Sequence, residues 1–127
     1  MMIKPPVPAA GQVYLYYTRA DRISDPGLLE QYRRCLCPAE LQKADRYMKH
    51  ADRHLSLVSR ALVRYVAGEV TQQDPRSLSF STNEYGKPYL QSRKDLHFNI
   101  SHSGIWVVAA VDTRPVGVDV EQIAPID

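Results

Sequence analysis

The stretch from Asp52 to Ala67 carries Leu55, Val58, Leu62, Tyr65 and Val66 at steps of three and four, the spacing of a helix that buries one face. Gly68 stands where such a helix would end. A helix of this length needs an apolar surface to cover, and the flanking sequence supplies strands. Val13 to Thr18 (VYLYYT) is aromatic and β-branched and follows a segment rich in proline, so it reads as a first strand. Ser24 or Asp25 caps a helix running through Cys37, with Pro26 in its first turn, and a second helical stretch spans Ala39 to Lys49. Beyond Thr71 the texture changes through Leu78 to Ser81 and the turn NEYGKP. Three further strands then follow, Leu96 to Ile100, Ile105 to Asp112 and Val116 to Glu121. The spacing predicts a hairpin at Thr113, Arg114 and Pro115 joining the last two. Strand, helices, then antiparallel strands is an α+β order.

With 127 residues, 44% of them hydrophobic, the chain can form a core of its own. We expect a Pro-rich flexible arm over 1–11 and a single α+β domain over 12–127. The arm, MMIKPPVPAAG, has no apolar stretch and does not read as a signal peptide. The longest uninterrupted apolar run, Ile105 to Val111, falls well short of the roughly 20 residues a membrane-spanning helix needs. No segment is expected to cross a bilayer, and a cytoplasmic location is the expectation. Cys35 and Cys37 lie too close together for a useful loop-closing disulfide and read as two half-buried thiols near a helix end.

Charge is distributed unevenly. Between residues 31 and 70, Arg33, Arg34, Lys43, Arg46, Lys49, Arg53, Arg60 and Arg64 face only Glu40, Asp45, Asp52 and Glu69. From residue 95 onward Arg114 stands against Asp95, Asp112, Asp119, Glu121 and Asp127. A basic middle suits a phosphorylated ligand or nucleic acid, and an acidic end suits a cation that such a ligand shares. Arg53, Arg60 and Arg64 fall at steps of seven and four, within about 40° on a helical wheel, and form a basic stripe whose plain interpretation is a solvated face. His50 and His54, one turn apart, lack a third metal ligand and read as surface residues.

In VGVDVE the alternation of period two places Asp119 and Glu121 on one face of a strand, about 6.6 Å apart at a rise of about 3.3 Å per residue. Two carboxylates with room for water and phosphate suit Mg²⁺, whereas the plain alternative is an acidic edge strand. In FNISHSG, Ser101 and His102 are adjacent and so point to opposite sides of an extended chain, which argues against a Ser-His nucleophile. A hydroxyl, a histidine and backbone amides at a strand end suit a phosphate instead. Gly86, Lys87 and Pro88 form a tight turn suited to a phosphate or a flat ring.

In combination and in this order, NEYGKP, FNISHSG followed by WVVAAV, and VGVDVE resemble the N-terminal half of Sfp-type 4′-phosphopantetheinyl transferases. The segment PAELQKADRYMKHADRHLSLVSRALVRYV is similar to that family's basic helical region. The resemblance implies transfer of 4′-phosphopantetheine from coenzyme A to a serine of an apo acyl or peptidyl carrier protein, with Mg²⁺ on the pyrophosphate, in a pseudo-dimer of two similar halves. It makes Asp119 and Glu121 magnesium ligands and gives Ser101 and His102 to the coenzyme A phosphates. It gives Gly86, Lys87 and Pro88 to the adenine-side and phosphate-side turn. Lys43 and Arg53 join the basic group near the 3′-phosphate, with Arg46 or Arg60 as substitutes. No segment matches the W-x-x-K-E-x-x-x-K block of the family's second half. The expectation is therefore one half of a transferase that works with a second half or by self-association. No catalytic base is assigned within it. The competing expectation is a non-catalytic coenzyme A or nucleotide-binding module. A nucleic-acid-binding domain, resting on the arginine stripe alone, is disfavoured by the acidic end and by the absence of a nucleic-acid motif.

Overall fold

The computed structural model describes residues 7–9, 11–121 and 123. Most of the 1–11 arm lies outside these, although Val7 packs against the core and its carbonyl accepts a hydrogen bond from the Tyr14 hydroxyl at 3.4 Å. Strand β1 (Tyr14–Arg19) leads through a 3₁₀ turn at Ala20–Arg22 into helices α1 (Pro26–Cys35), α2 (Pro38–Asp45) and α3 (His50–Thr71). Strands β2 (Phe80–Thr82), β3 (Pro88–Leu90), β4 (His97–Ser103) and β5 (Trp106–Asp112) follow. The fold is α+β, as its order of elements predicts.

β2 and β3 form a small hairpin, and the main antiparallel sheet has the order β1-β5-β4. Its inner face presents Phe98, Val107, Ala109 and Val111, and α3 packs across it through Val58, Val66, Ala67 and Val70. Leu78, Leu90 and Leu96 seal the end of this core where the small hairpin meets it. Burial of these side chains is the main driving force available to the fold.

Three local expectations are corrected. α3 does not stop at Gly68 but continues to Thr71, where Gln72 takes the left-handed cap at φ 57°. Gly68 is required for a different reason: a Cβ there would lie 2.8 Å from the Gln73 carbonyl oxygen and 3.0 Å from Pro75 Cγ, so the returning chain packs directly on the helix backbone. α1 ends at Cys35 and α2 at Asp45, both short of the expected Cys37 and Lys49. Arg53, in the first turn of α3, ties down the intervening loop, its Nη1 donating to the carbonyls of Tyr47 at 2.9 Å and Met48 at 2.8 Å.

The third correction bears on function. Residues 116–121 form no strand and no hairpin with β5. β5 is the central strand, with β1 paired to one edge and β4 to the other, so it has no free edge for a third partner. At its end the buried Asp112 carboxylate accepts from the backbone N–H of Thr113 at 2.6 Å and of Arg114 at 3.4 Å, turning the chain out of the sheet. Burial alone would push the Asp112 pKa up, but these amides and the Arg114 guanidinium hold it below the ordinary carboxylate value.

Candidate functional site

Between α2 and α3 on one side and the β2–β3 hairpin and β4 on the other lies a cavity of about 450 Å³, within the range of small-molecule sites. Lys43 of α2 and Arg60 of α3 line the helical wall, with Asp52 and Ser56. Gly86, Pro88 and His102 line the opposite wall. Buried Nε of Arg60 has no hydrogen-bond partner among the described residues, although a buried donor without one costs about 1–3 kcal/mol.

The NEYGKP turn reaches the cavity because its own side chain shapes it. Asn83 Oδ1 accepts from Tyr85 N at 2.8 Å and Lys87 N at 3.0 Å, and Gly86 adopts φ 80°. Gly86 and Pro88 thereby come to the cavity wall. Lys87 does not line the cavity, and its Nζ lies 3.5 Å from the carbonyl of Val116. The turn is thus joined to the acidic segment beyond β5.

β4 separates Ser101 from His102, as alternation along a strand requires. His102 lines the cavity, while on the reverse face the Ser101 hydroxyl donates to Asp119 Oδ1 at 3.1 Å. Ser101 Oγ also accepts from Val120 N at 3.3 Å, and Asn99 Oδ1 accepts from Val118 N at 2.9 Å. Residues 116–121 therefore run beside β4 on side-chain anchors in place of a backbone ladder. Asp119 and Glu121 are both exposed. Among the described residues no group of three or more His, Cys, Asp or Glu could hold a metal ion. Two exposed carboxylates nevertheless fit Mg²⁺, a hard cation that takes one or two carboxylates and completes its shell with water and phosphate oxygens.

The arginine stripe divides into three roles. Arg53 lies outside the cavity lining and holds the α2–α3 loop, as above, and Arg60 lines the cavity. Arg64, expected on a solvated face, is only 3% exposed and pairs with Glu40 through Nε at 3.0 and 3.2 Å and through Nη2. Its Nη1 donates to the carbonyls of Pro75 and Leu78, both at 2.9 Å, and the guanidinium lies 5.4 Å from the Phe80 ring centroid. Burial pushes the Glu40 carboxyl up, but Arg64 and the Cys37 N–H outweigh this and leave it below its ordinary value. His54 is a structural residue too, its Nε2 lying 2.8 Å from the Ala20 carbonyl. Of the two thiols, Cys35 is buried beside the Tyr65 hydroxyl at 3.5 Å and Cys37 is exposed at the cavity. Asp52 and Ser56 escaped sequence reasoning. The signal was present in the step of four that joins them to Arg60, a polar row on a helix otherwise apolar toward the core.

A family model described as 4′-phosphopantetheinyl transferase, N-terminal, matches residues 26–114. A 4′-phosphopantetheinyl transferase of Bacillus subtilis is 37% identical over 111 residues, covering 87% of this chain and 50% of the relative. The 4′-phosphopantetheinyl transferase Sfp of Bacillus subtilis strain 168 is 41% identical over 97 residues, covering 76% of this chain and 43% of the relative. The chain thus spans half or less of the length of these curated relatives. Among solved structures, the holo-[acyl-carrier-protein] synthase of Helicobacter pylori, crystallised with coenzyme A, superposes with a TM-score of 0.57 at 15% identity. It covers 80% of this chain and 98% of that one. The holo-ACP-synthase of Plasmodium yoelii gives a TM-score of 0.52 at 15% identity, covering 78% of this chain and 90% of that one. These two likenesses establish the fold, and the match over residues 26–114 establishes more: this chain belongs to the 4′-phosphopantetheinyl transferase family.

Proposed function

We propose that this chain holds coenzyme A for a magnesium-dependent transfer of its 4′-phosphopantetheine group to a serine of an apo acyl or peptidyl carrier protein. One observation carries the reading: a single cavity has Lys43 and Arg60 on one wall and His102 on the other, with Ser101 and Asp119 on the reverse face of His102's own strand. In this reading Lys43 and Arg60 receive a terminal phosphate, and the unpartnered Nε of Arg60 gains the acceptor it lacks. Gly86 and Pro88 lie against the adenine, while Lys87, Ser101 and His102 reach the diphosphate. Arg53 serves the ligand indirectly, by fixing the loop that carries Tyr47 to the cavity.

Asp119 and Glu121 would hold Mg²⁺. Bound there, the cation neutralises charge on the diphosphate and improves 3′,5′-ADP as a leaving group. Both carboxylates being engaged by the metal, neither is a good base for the serine proton. That base is proposed to come from a second half, or another copy, packed on the outer face of the sheet. The support for such packing is the exposure of Val13, Leu15, Tyr17 and Trp106 on or beside that face, with the Tyr17 and Trp106 rings 6.0 Å apart. No helix among the described residues is long and apolar enough to cross a membrane, and the reading places the reaction in the cytoplasm.

The test uses His102. If its ring serves a phosphate, His102→Ala weakens coenzyme A binding by at least about tenfold, since a hydrogen bond to a charged group contributes about 1.5–3 kcal/mol. Pantetheine without phosphates should bind the variant and the wild type alike. Equal losses for the two ligands in calorimetry would make His102 a scaffold residue and remove one wall of the proposed site.

A further inference from the structure

The segment bearing Asp119 and Glu121 has no backbone ladder, yet it follows β4 in register. Asn99 receives the amide of Val118 and Ser101 receives that of Val120, so two steps along β4 match two steps along the segment, in the same direction. The N–H groups of the residues before and after Asp119 are therefore pinned. Its carboxylate is steadied in turn by the Ser101 hydroxyl. Upstream, the turn around Asp112 fixes where the segment departs from the sheet. Of these anchors Ser101 touches Asp119 directly, whereas Asn99 touches only the backbone. Asn99 is half-buried, and its side chain projects from the outer face of β4, opposite the buried Phe98.

We propose that Asn99 is a positioning residue for the acidic pair: it replaces a missing β-ladder with a side-chain bond and so holds Asp119 and Glu121 ready for a divalent cation. This rests on the magnesium role proposed above. A side chain that only orients a ligand-bearing segment affects metal-linked affinity and leaves metal-independent contacts alone. Alanine at 99 removes the acceptor for Val118 N–H, and aspartate restores it with an oxygen at the same position.

The experiment measures coenzyme A affinity of the chain by calorimetry, in Mg²⁺ and in EDTA, for wild type, Asn99→Ala and Asn99→Asp, with amide hydrogen exchange at Val118 followed in ligand-free protein. In Mg²⁺, Asn99→Ala is expected to weaken binding about tenfold, the lower end of the range for groups that orient metal ligands. In EDTA it should match wild type, Val118 should exchange faster, and Asn99→Asp should recover most of the Mg²⁺ effect. If wild type shows a Mg²⁺ effect that Asn99→Ala leaves whole, or if the variant loses affinity equally in both buffers, the assignment to Asn99 is overturned. If wild type shows no Mg²⁺ effect, the magnesium reading beneath it falls instead, and faster Val118 exchange in Asn99→Ala would still mark the anchor as structural.

Discussion

Replacing Arg64 with methionine is expected to destabilise the chain by about 3–5 kcal/mol, the cost of removing one partner from a buried ion pair. That is a large share of the roughly 5–15 kcal/mol by which a domain is stable. The substitution strands the Glu40 carboxylate and leaves the carbonyls of Pro75 and Leu78 without their donor. The pH dependence should change sign. In wild type, Glu40 is held below its ordinary value of 4.5, so its contribution is complete above that pH and is lost as the pH falls below it. Without Arg64, burial raises the carboxyl, and protonation becomes a gain. Thermal melts at pH 7 and pH 4 should therefore show wild type losing stability in acid and Arg64→Met recovering part of its deficit. A variant that melts like wild type at both values would show the pair to be energetically idle.

The largest functional effect is expected at Asp119. Losing a group that merely orients a metal ligand costs about 10- to 100-fold, so losing a ligand should cost at least as much. Asp119→Ala should bind coenzyme A in Mg²⁺ no better than wild type binds it in EDTA. Asp119→Asn keeps the acceptor for the Ser101 hydroxyl, and so separates loss of charge from loss of the anchor. Calorimetry in which Asp119→Ala retains a wild-type response to Mg²⁺ would remove Asp119 from the metal site.

How far these residues could be read from sequence depended on whether their partners were local. The α3 periodicity, the Asp25 cap that accepts from Leu28 N at 3.0 Å, and the alternation that separates Ser101 from His102 are local properties, legible in the chain itself. The course of 116–121 was not. VGVDVE alternates like a strand and Thr113–Pro115 suits a turn, but whether a hairpin forms depends on the free edges of β5, and β1, nearly a hundred residues upstream, occupies one of them. Arg64 was misread for the same reason. Its helical spacing to Arg53 and Arg60 says nothing of Glu40 on α2, which turns a nominally solvated arginine into a core residue. Within the site, Lys43, Gly86, Pro88 and His102 share one cavity, Lys87 stands outside its lining, and Arg53 is engaged by loop carbonyls while Arg60 takes the wall position.

A single titration decides whether this fold presents a coenzyme A site completed by a divalent cation. Coenzyme A is added to the chain in Mg²⁺ and, separately, in EDTA, with heat of binding as the readout. Measurable binding is expected in both, and at least about tenfold tighter binding in Mg²⁺, because Asp119 and Glu121 would hold the cation and it would offset the charge of the diphosphate. Identical affinities in the two buffers, or no binding in either, would contradict it.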